Sequence, residues 1–355
     1  MAGTQSNALA RTYDSLSGRN RIINGACMIA QRATATISTS AVTYAGPDRY
    51  RSLVGGTAGG SFSQAQGTLT FNGFTKNCIT QTVVSAITST TTTNYWSGIS
   101  QVIEGYNCYD LVGQNISVSF IFSSNVPGTY ALSVTDGVNA YSYVNTFSVA
   151  ANTPTFVSFN LPTTPGGVTA PQSSAAGLIV WIGAINTGTF AATVGNTGVW
   201  SQNNYITGSS TTNWGLTIGN FISITELQVE HGNIATPFER KLITQELAAC
   251  QRYFCKSYPQ ATFAGTNTGL TLGIQESTGS SSTATIGMVR FPVTMRASPT
   301  ATVYDSAGNS GKVTTEGSNT NITPTAVDDQ ADSGFKVFMA SVTRVSFHYT
   351  AAAEL

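Results

Sequence analysis

A short stretch in the first third of the chain, IEGYNCYD, combines residue types that recognise sugars. In it Glu104 and Asp110 flank two tyrosines, Tyr106 and Tyr109. A pyranose has an apolar face and a rim of hydroxyl groups, so its binding sites typically present an aromatic platform beside polar acceptors. The stretch therefore indicates a saccharide contact. The alternative is that both tyrosines pack at the end of a strand while Glu104 caps a turn.

Three tryptophans extend the set of candidate platforms. Trp200 and Trp214 occur in WSQNNY and TTNWGL, where the neighbouring Asn, Ser, Thr and Gly are typical of loops, so we predict that both are exposed ligand contacts. Trp181 lies in the apolar run LIVWIG and is predicted to belong to the core. Loops rich in Gly, Ser and Asn in the C-terminal region compete as the location of a receptor site.

The common motifs of catalysis do not occur in this sequence. It contains no GxSxG, HExxH or P-loop lysine motif and no CxxC pair. Its two histidines, His231 and His348, are far apart in the chain, which argues against a His-dependent triad or a multi-histidine metal site. We therefore predict a protein that is not an enzyme, with no catalytic residues, no metal and no cofactor.

Glycan cleavage is the one enzymatic activity that we keep as a less favoured alternative, because it needs only two carboxylates roughly 5–10 Å apart. The sequence does not pair its acidic residues, among which the candidates are Asp48, Glu104, Asp110 and Asp136.

Composition narrows the class of protein further. Only 9% of the 355 residues are charged, whereas 41% are hydrophobic, so the polar surface must come mainly from Thr, Ser, Asn and Gln, as suits an all-β protein. Sixteen basic and sixteen acidic residues give a net charge of zero, which argues against a nucleic-acid partner. No apolar run is long enough for a membrane span, and no secretory signal follows Met1, so we expect synthesis in the cytoplasm. The five cysteines lack paired spacing and are expected to be free, buried thiols.

Strand patterns recur along most of the chain. In NISVSFIF, residues Ile116, Val118, Phe120 and Phe122 alternate with serines, which predicts a half-buried strand. Residues 177–185 form an apolar run typical of a sandwich interior. Many such short segments separated by turn signals predict an all-β fold with a jelly-roll-like antiparallel β-sandwich.

One segment has a helical period instead. Thr244 is predicted to cap a helix of about ten residues whose face contains Leu247, Cys250, Gln251 and Phe254. An isolated helix of this length is not stable in water, so it must pack against something. The predicted organisation is an attachment arm (1–20), a β-sandwich (21–236), a linker with the short helix (237–258) and a second small C-terminal β domain (259–355). The arm could instead lie along its own domain.

Two stretches resemble a known family. The first is NRIINGACMIAQRA, from residue 20, with GPDRYR downstream; the second is LQVEHGNIATPFERKLITQELAACQRYF (227–254). They are similar to phage tail-fibre and receptor-binding proteins, which commonly read NRxxNGxMxxxQR, then DRW, and later ATPFERRxxxxELxxCQRYY. Tyr50 stands where the family often has Trp, Lys241 where it often has a second Arg, and His231 directly before the family's Gly. The match extends to residues 100–111, 291–300 and 347–355.

The resemblance implies a homotrimeric virion fibre or spike whose sandwich is similar to carbohydrate-binding modules. We predict that it binds a host-surface polysaccharide and that it is attached to the virion head or tail through its N-terminal arm. Its motif is architectural, so we predict an assembly role for the segment that follows the sandwich, with the residues Arg240, Leu247, Cys250, Arg252 and Phe254. Arg240 and Arg252 are expected to tie the sandwich to the helix region through bidentate contacts. The alternative function is a structural or decoration protein of capsid or tail that binds no host ligand.

Overall fold

The computed structural model describes residues 18–38, 41–55, 59–88, 96–186, 188–278, 285–339 and 344–355. The predicted attachment arm therefore lies almost entirely outside the described residues. The chain divides into two compact units. Unit 1 comprises the described residues within 1–28, 35–43 and 50–241, and unit 2 comprises those within 29–34, 44–49 and 242–355.

Unit 1 contains two large sheets. In chain order its strands are β1 (Ala35–Ile37), β2 (Thr43–Tyr44, which reaches one residue beyond the unit), β3 (Tyr50–Gly55), β4 (Ser61–Phe71), β5 (Phe74–Ser85), β6 (Trp96–Glu104), β7 (Ile116–Ser124), β8 (Gly128–Asp136), β9 (Ser142–Val149), β10 (Thr155–Leu161), β11 (Ala176–Asn186), β12 (Ala191–Ala192), β13 (Trp200–Ser201), β14 (Thr207–Gly208) and β15 (Phe221–His231). Short 3-10 helices occupy 105–107, 109–111, 194–196 and 214–216.

The pairing of these strands defines an antiparallel sandwich. The first sheet has the order β1-β4-β5-β15-β7-β10, and the second has the order β13-β9-β8-β11-β6-β3-β2. The large hydrophobic core of the unit takes side chains from both sheets, including Phe62, Phe120 and Phe122 from the first and Leu132 and Val180 from the second. The predicted all-β fold with an antiparallel sandwich is confirmed.

The alternation seen in the sequence of β7 explains its position in this core. Ile116, Val118, Phe120 and Phe122 are all buried members of the core cluster, as their spacing predicts. The intervening serines are buried as well, so β7, which lies between β15 and β10 in the first sheet, is buried on both faces and not half-buried as predicted.

Unit 2 is the small C-terminal β structure together with one short helix. Its strands are β16 (Phe254–Lys256), β17 (Gln275–Thr278), β18 (Thr285–Arg290), β19 (Thr300–Tyr304), β20 (Val313–Thr315), β21 (Asn321–Ile322), β22 (Ala326–Ala331), β23 (Gly334–Phe338) and β24 (Arg344–Ala352). The strand β24 is the centre of the unit, because β16, β17, β19 and β20 all pair with it. The strands β18, β23 and β22 form a separate three-stranded sheet.

The helix α1 (Ile243–Gln251) is the one α-helix among the described residues, and its nine residues agree with the predicted length of about ten. It begins one residue before Thr244, and the backbone N–H of Leu242 donates to Gln245 Oε1 at 3.4 Å. Phe254 is not part of its face, which corrects that prediction. Because Phe254 pairs with Ala352 of β24, the backbone leaves the helix at Gln251 and enters a strand.

Two short segments from the N-terminal part of the chain belong to unit 2. Residues 29–34 and 44–49 group with residues 242–355, although the sequence assigned everything from 21 to 236 to the sandwich. The backbone N–H of Asp48 donates to Ile29 O, and that of Gly46 donates to Ala33 O, so the two segments are also joined to each other. The C-terminal unit is therefore discontinuous in sequence.

Candidate functional site

The predicted contact Trp214 is fully buried, which corrects the expectation that it is exposed. Its indole packs edge-on against Phe62, with ring centroids 5.2 Å apart, and its Nε1 donates to Gly183 O at 2.9 Å. The polar neighbours of Trp214 are loop residues, as predicted, but this loop folds back onto the sandwich and inserts the indole into the core.

Trp200 occupies an intermediate position at the edge of the second sheet. It lies in β13, packs on the ring of Tyr143 at a centroid distance of 5.8 Å, and donates from Nε1 to Pro162 O at 2.9 Å. Its ring is partly buried against the core cluster, so it offers a ligand part of one face only.

The stretch around Tyr106 separates into a buried and an exposed part. Glu104 is buried at the end of β6, between β3 and β11, so its prediction as a ligand contact is corrected. Tyr106 and Tyr109 are 55% and 43% exposed on successive 3-10 helices. Asp110 accepts a hydrogen bond from Arg21 Nη2 at 2.6 Å, which holds its carboxylate at the surface. Two exposed tyrosines beside an ion pair remain available as a platform.

The sequence did not indicate a cleft of about 340 Å³ on the outer face of the second sheet. Two strands and two loops contribute its lining, which consists of Arg51, Leu53, Asn139, Trp181, Phe190, Asn204 and Ile206. A volume of this size lies at the lower end of the roughly 300–1,000 Å³ of small-molecule sites.

The strand alternation of β11 places Trp181 at this cleft. Val180 and Ile182 belong to the core between the sheets, so the side chain between them points to the opposite face. Trp181 is only 5% exposed, and the prediction that it is buried is confirmed, but it is buried on the face outside the main core. Gly98 on the neighbouring strand allows close packing against β11, because a Cβ there would lie 2.8 Å from the Cβ of Ala184.

The wall of the cleft is a loop segment between β11 and β15 that is bound to the sheet by hydrogen bonds. Ser133 Oγ donates to Tyr205 O at 2.6 Å, and Ser142 Oγ donates to Asn203 O at 2.7 Å. These bonds fix the position of Asn204, whose buried Oδ1 has no hydrogen-bond partner among the described residues. A buried, unpaired acceptor is unusual in a folded protein, and a water molecule or another bound group can satisfy it.

The chemistry of the cleft is that of recognition. Trp181 and Phe190 supply aromatic surface, Asn139 and Asn204 supply amide donors and acceptors, and Arg51 supplies a guanidinium. Among the described residues that line the cleft there is no carboxylate. The arrangement suits an amphipathic ligand with an apolar face and a polar rim.

In unit 2, the residues of the sequence motifs form a buried ionic cluster instead of a binding site. Asp48 accepts two hydrogen bonds from Gln31, from the backbone N–H at 2.9 Å and from Nε2 at 2.6 Å. Burial raises the pKa of Asp48 to about 6, although Arg32 and the two bonds from Gln31 act in the opposite direction. Arg49 is also buried and forms an ion pair with Glu354.

Aromatic rings and a second cation complete this ionic cluster. The guanidinium of Arg49 lies 3.5 Å from the centroid of the Tyr253 ring, and that of Arg32 lies 3.7 Å from the Phe254 ring. Lys256 donates to three backbone carbonyls, and burial lowers its pKa to about 8. The motif residues Gln31-Arg32, Asp48-Arg49 and 250–254 thus lie together in unit 2. Their contacts hold the N-terminal segments of this unit to its strands.

The predicted assembly residues have different environments. Cys250 and Phe254 are buried inside unit 2, which corrects their assignment as assembly contacts, whereas Leu247 and Arg252 are partly exposed. Arg240 is mostly exposed and forms an ion pair with Glu226 within unit 1. The proposed connection of the sandwich to the helix through Arg240 and Arg252 stays a prediction.

His348 is the buried histidine of unit 2. Its Nδ1 lies 3.0 Å from Ser257 Oγ, its Nε2 lies 2.9 Å from Thr268 Oγ1, and its ring stacks on Tyr258 at 3.9 Å. Burial lowers its pKa to about 4, so the ring is neutral at pH 7. Because both ring nitrogens are engaged and no carboxylate orients the ring in these contacts, the arrangement is that of a packed core residue.

Unit 2 also has a smaller cavity of about 100 Å³ near the strands β18, β22 and β23. Its lining includes Met288, Arg290, Asp329 and Ser333. Searches over the described residues find no group of three or more metal-ligating side chains and no helix with the length and apolar character needed to cross a membrane.

The fold and the cleft together define a class of protein: an all-β chain whose sandwich carries a surface cleft of aromatic, amide and guanidinium groups. No protein-family model matches the sequence, and no curated protein matches it.

Solved structures to which this chain is similar include the enzymatically active domain of tailspike protein 4 from bacteriophage CBA120, with 10% sequence identity and a TM-score of 0.31. That match covers 60% of this chain and 22% of the tailspike chain, so this chain spans about a fifth of its length. A CBM4 structure has 12% identity and a TM-score of 0.29 over 59% of this chain and 98% of its own. The CBM22-1 xylan-binding domain from Paenibacillus barcinonensis has 10% identity and a TM-score of 0.28 over 57% and 99%, respectively.

Proposed function

We propose that this chain is a virion fibre or spike protein of a phage that attaches to a host-surface glycan and does not cleave it. The glycan occupies the cleft on the outer face of the second sheet. The resemblance of residues 20–51 and 227–254 to phage tail-fibre and receptor-binding proteins supports the virion assignment. The composition of the cleft supports the ligand class.

The lining of the cleft is the observation that carries the glycan proposal. Trp181, which is 5% exposed, and the partly exposed Phe190 give the cleft its aromatic surface, and Asn139 and Asn204 line it as donors and acceptors. A sugar ring needs this combination, because its C–H face is desolvated on aromatic carbon while its hydroxyl groups must keep hydrogen bonds. The exposed pair Tyr106 and Tyr109 supplies a second contact region on the same unit.

The absence of a carboxylate from the described cleft lining supports binding without hydrolysis. Glycoside hydrolysis requires two carboxyl groups, roughly 5–10 Å apart, that flank the scissile bond. A depolymerase with this cleft as its active site would need acidic residues that the lining does not contain.

A glycan array with the purified protein tests the proposal. We expect binding to host-surface polysaccharide that falls at least tenfold in Asn204→Ala, since this substitution removes an amide from the cleft. The matched control is Asn203→Ala. Asn203 is the residue before Asn204, but its side chain does not line the cleft, so this substitution should leave binding unchanged. Equal binding by both variants, or no binding to any glycan on the array, would overturn the assignment. Release of new reducing ends from the bound polysaccharide would overturn the non-enzymatic part.

The proposal includes a homotrimer attached to the virion through residues 1–20. The helix α1 has nine residues, below the roughly 12–15 needed for stability in isolation, and it buries Cys250 in its own unit while Leu242 and Ile243 at its start are exposed. Symmetry mates around an axis would cover those two side chains. Analytical ultracentrifugation should give about three times the 37.1 kDa chain mass, and less in Leu242→Ser/Ile243→Ser. A monomer at micromolar concentration contradicts the trimer.

A further inference from the structure

We infer that the cleft on the second sheet selects saccharides that carry a carboxylate, namely glycans that contain hexuronate residues, and that Arg51 is the residue that determines this specificity. The inference rests on the proposed glycan function and adds the chemical class of the ligand. It depends on the charge of the cleft and on the orientation of one guanidinium.

The charge of the lining has one sign. Of the seven side chains that line the cleft, Arg51 alone carries a charge, and it stays cationic throughout the pH range of ordinary solutions. Charged residues make up only 9% of the chain, so a generally charged surface does not explain why an arginine lines this aromatic cleft. A cleft with low-dielectric walls strengthens the attraction between this cation and an anionic ligand.

The acidic residue of the adjacent turn does not cancel this charge at the cleft surface. Asp136 closes β8, next to the turn that carries Asn139, and it is fully buried. Its Oδ1 accepts hydrogen bonds from the backbone N–H groups of Ala140 at 2.7 Å and Tyr141 at 3.2 Å. The carboxylate is therefore turned into the loop and is not presented to a ligand.

The guanidinium of Arg51 is held in position before a ligand arrives. Its Nε donates to Ser100 Oγ on β6 at 3.1 Å, and its central carbon lies 5.8 Å from the ring of Trp181. A side chain anchored at Nε loses little further freedom when it binds, and the Nη groups of a guanidinium match the two oxygens of a carboxylate. With a sugar ring on the aromatic surface, a carboxylate on that ring is the substituent that suits the neighbouring cation.

The same cation would also attract a sulfate or phosphate ester, so the test separates these sources of negative charge. The probes are oligogalacturonate, oligoalginate and hyaluronate oligosaccharides, each paired with its fully methyl-esterified form. The pairs share rings and linkages, and they differ in the charge of the carboxyl group. Sulfated and phosphorylated neutral oligosaccharides form a third set.

Titration calorimetry at low salt gives the decisive comparison. We expect at least one acid form to bind about tenfold or more tightly than its ester, and the difference to shrink at high salt because charge attraction is screened. Arg51→Leu should abolish the difference in affinity between the acid form and its ester, and Arg51→Lys should retain part of that difference, since a point charge lacks the fork of the guanidinium. Arg240→Leu is the matched control: it removes an exposed arginine from the same unit and should leave the preference unchanged.

Each contrary outcome has a distinct meaning. Equal binding of acid and ester forms, or a preference for sulfate and phosphate esters, overturns the hexuronate inference and leaves glycan binding in place. If the protein binds neutral glycans on the array but none of the hexuronate oligosaccharides, the hexuronate inference is likewise overturned and glycan binding is retained. No binding to any glycan by a protein that keeps its native circular dichroism overturns both the inference and the proposed function.

Discussion

The protonation of Asp48 is coupled to the folding of unit 2, because this carboxyl group is fully buried among charged partners. Its pKa is raised from 3.8 to about 6 in the folded protein. A raised carboxyl pKa means that the folded state binds the proton more tightly, so this group contributes stability below pH 4 that is lost as the pH rises to about 6.

We predict that Asp48→Asn removes this dependence. The measured quantity is the difference between the free energies of unfolding of unit 2 in the natural protein and in the variant. This difference should fall by on the order of 3 kcal/mol between pH 4 and pH 7. Hydrogen exchange of the β24 amide groups, compared between the two proteins at each pH, measures this difference. His348 also contributes a pH-dependent term to the free energy of unfolding, but its contribution is lost as the pH falls from 6.5 to about 4. Because both proteins contain His348, this contribution cancels in the comparison. A constant difference across the pH range would contradict the prediction.

Two tryptophans show which residue properties can be predicted from local sequence. The apolar run around Trp181 correctly predicts burial, but it is apolar on both faces of β11 and so does not show that the indole faces the cleft. The polar run around Trp214 correctly predicts a loop but not its burial, since the partners Phe62 and Gly183 are distant in sequence. Burial of a loop residue depends on long-range packing that no local pattern records.

At the scale of elements, the β4–β5 hairpin has a turn whose sequence fixes its geometry. Asn72 and Gly73 both have positive φ, of 50° and 79°, as a two-residue type I′ turn requires. A Cβ at Gly73 would meet nothing within 4 Å, so any cost of substitution comes from the backbone conformation and not from a clash.

We therefore predict that Gly73→Ala destabilises unit 1 by about 1 kcal/mol, the cost of a left-handed conformation for a residue with a Cβ. Urea unfolding followed by tryptophan fluorescence measures this, because all four tryptophans lie within residues 50–241. Gly166→Ala is the control: it also has open space around it, but its φ lies outside the left-handed range, so it should change stability by less than about 0.5 kcal/mol. Equal effects of the two substitutions would show that the turn conformation is not the cause.

The elements themselves were largely predictable. The alternation in β7 and the apolar run of β11 identify central strands, and the change to a helical period identifies α1. The end of α1 was not predictable, because Phe254 has a helical spacing but pairs with Ala352, almost a hundred residues later in the chain. Strand pairing over such a distance competes with the local helical pattern and determines the structure here.

At the scale of the whole molecule, unit 2 is not a contiguous stretch of chain. Arg32 and Arg49 of the N-terminal segments form ion pairs with Glu354, and the backbone carbonyl of Gln31 accepts a hydrogen bond from Lys256. Without these segments, Glu354 would lose both ion pairs and Lys256 one of its three carbonyl acceptors, and removing the partner of a buried charge is strongly destabilising.

We predict that a fragment of residues 242–355 does not fold by itself. It should lack a cooperative thermal transition in circular dichroism, and a peptide of residues 29–49 added in trans should restore one. The matched control is the same peptide with Arg49→Ala and Asp48→Ala, which should not restore it. A cooperative transition in the fragment alone would contradict the prediction.

The ion pair between Arg49 and Glu354 joins residues that are 305 positions apart in the sequence. At roughly 5–20 residues per second, a ribosome needs on the order of 15–60 s to synthesise the intervening chain. For that time Arg49 lacks its native partner Glu354 and must remain hydrated on the nascent chain, whereas Gln31 and Arg32, which act on Asp48, have already been made. Water solvates an unpaired charge favourably, so this wait exposes no additional apolar surface. The ion pair between Arg49 and Glu354 is therefore completed only when almost the whole chain has been synthesised.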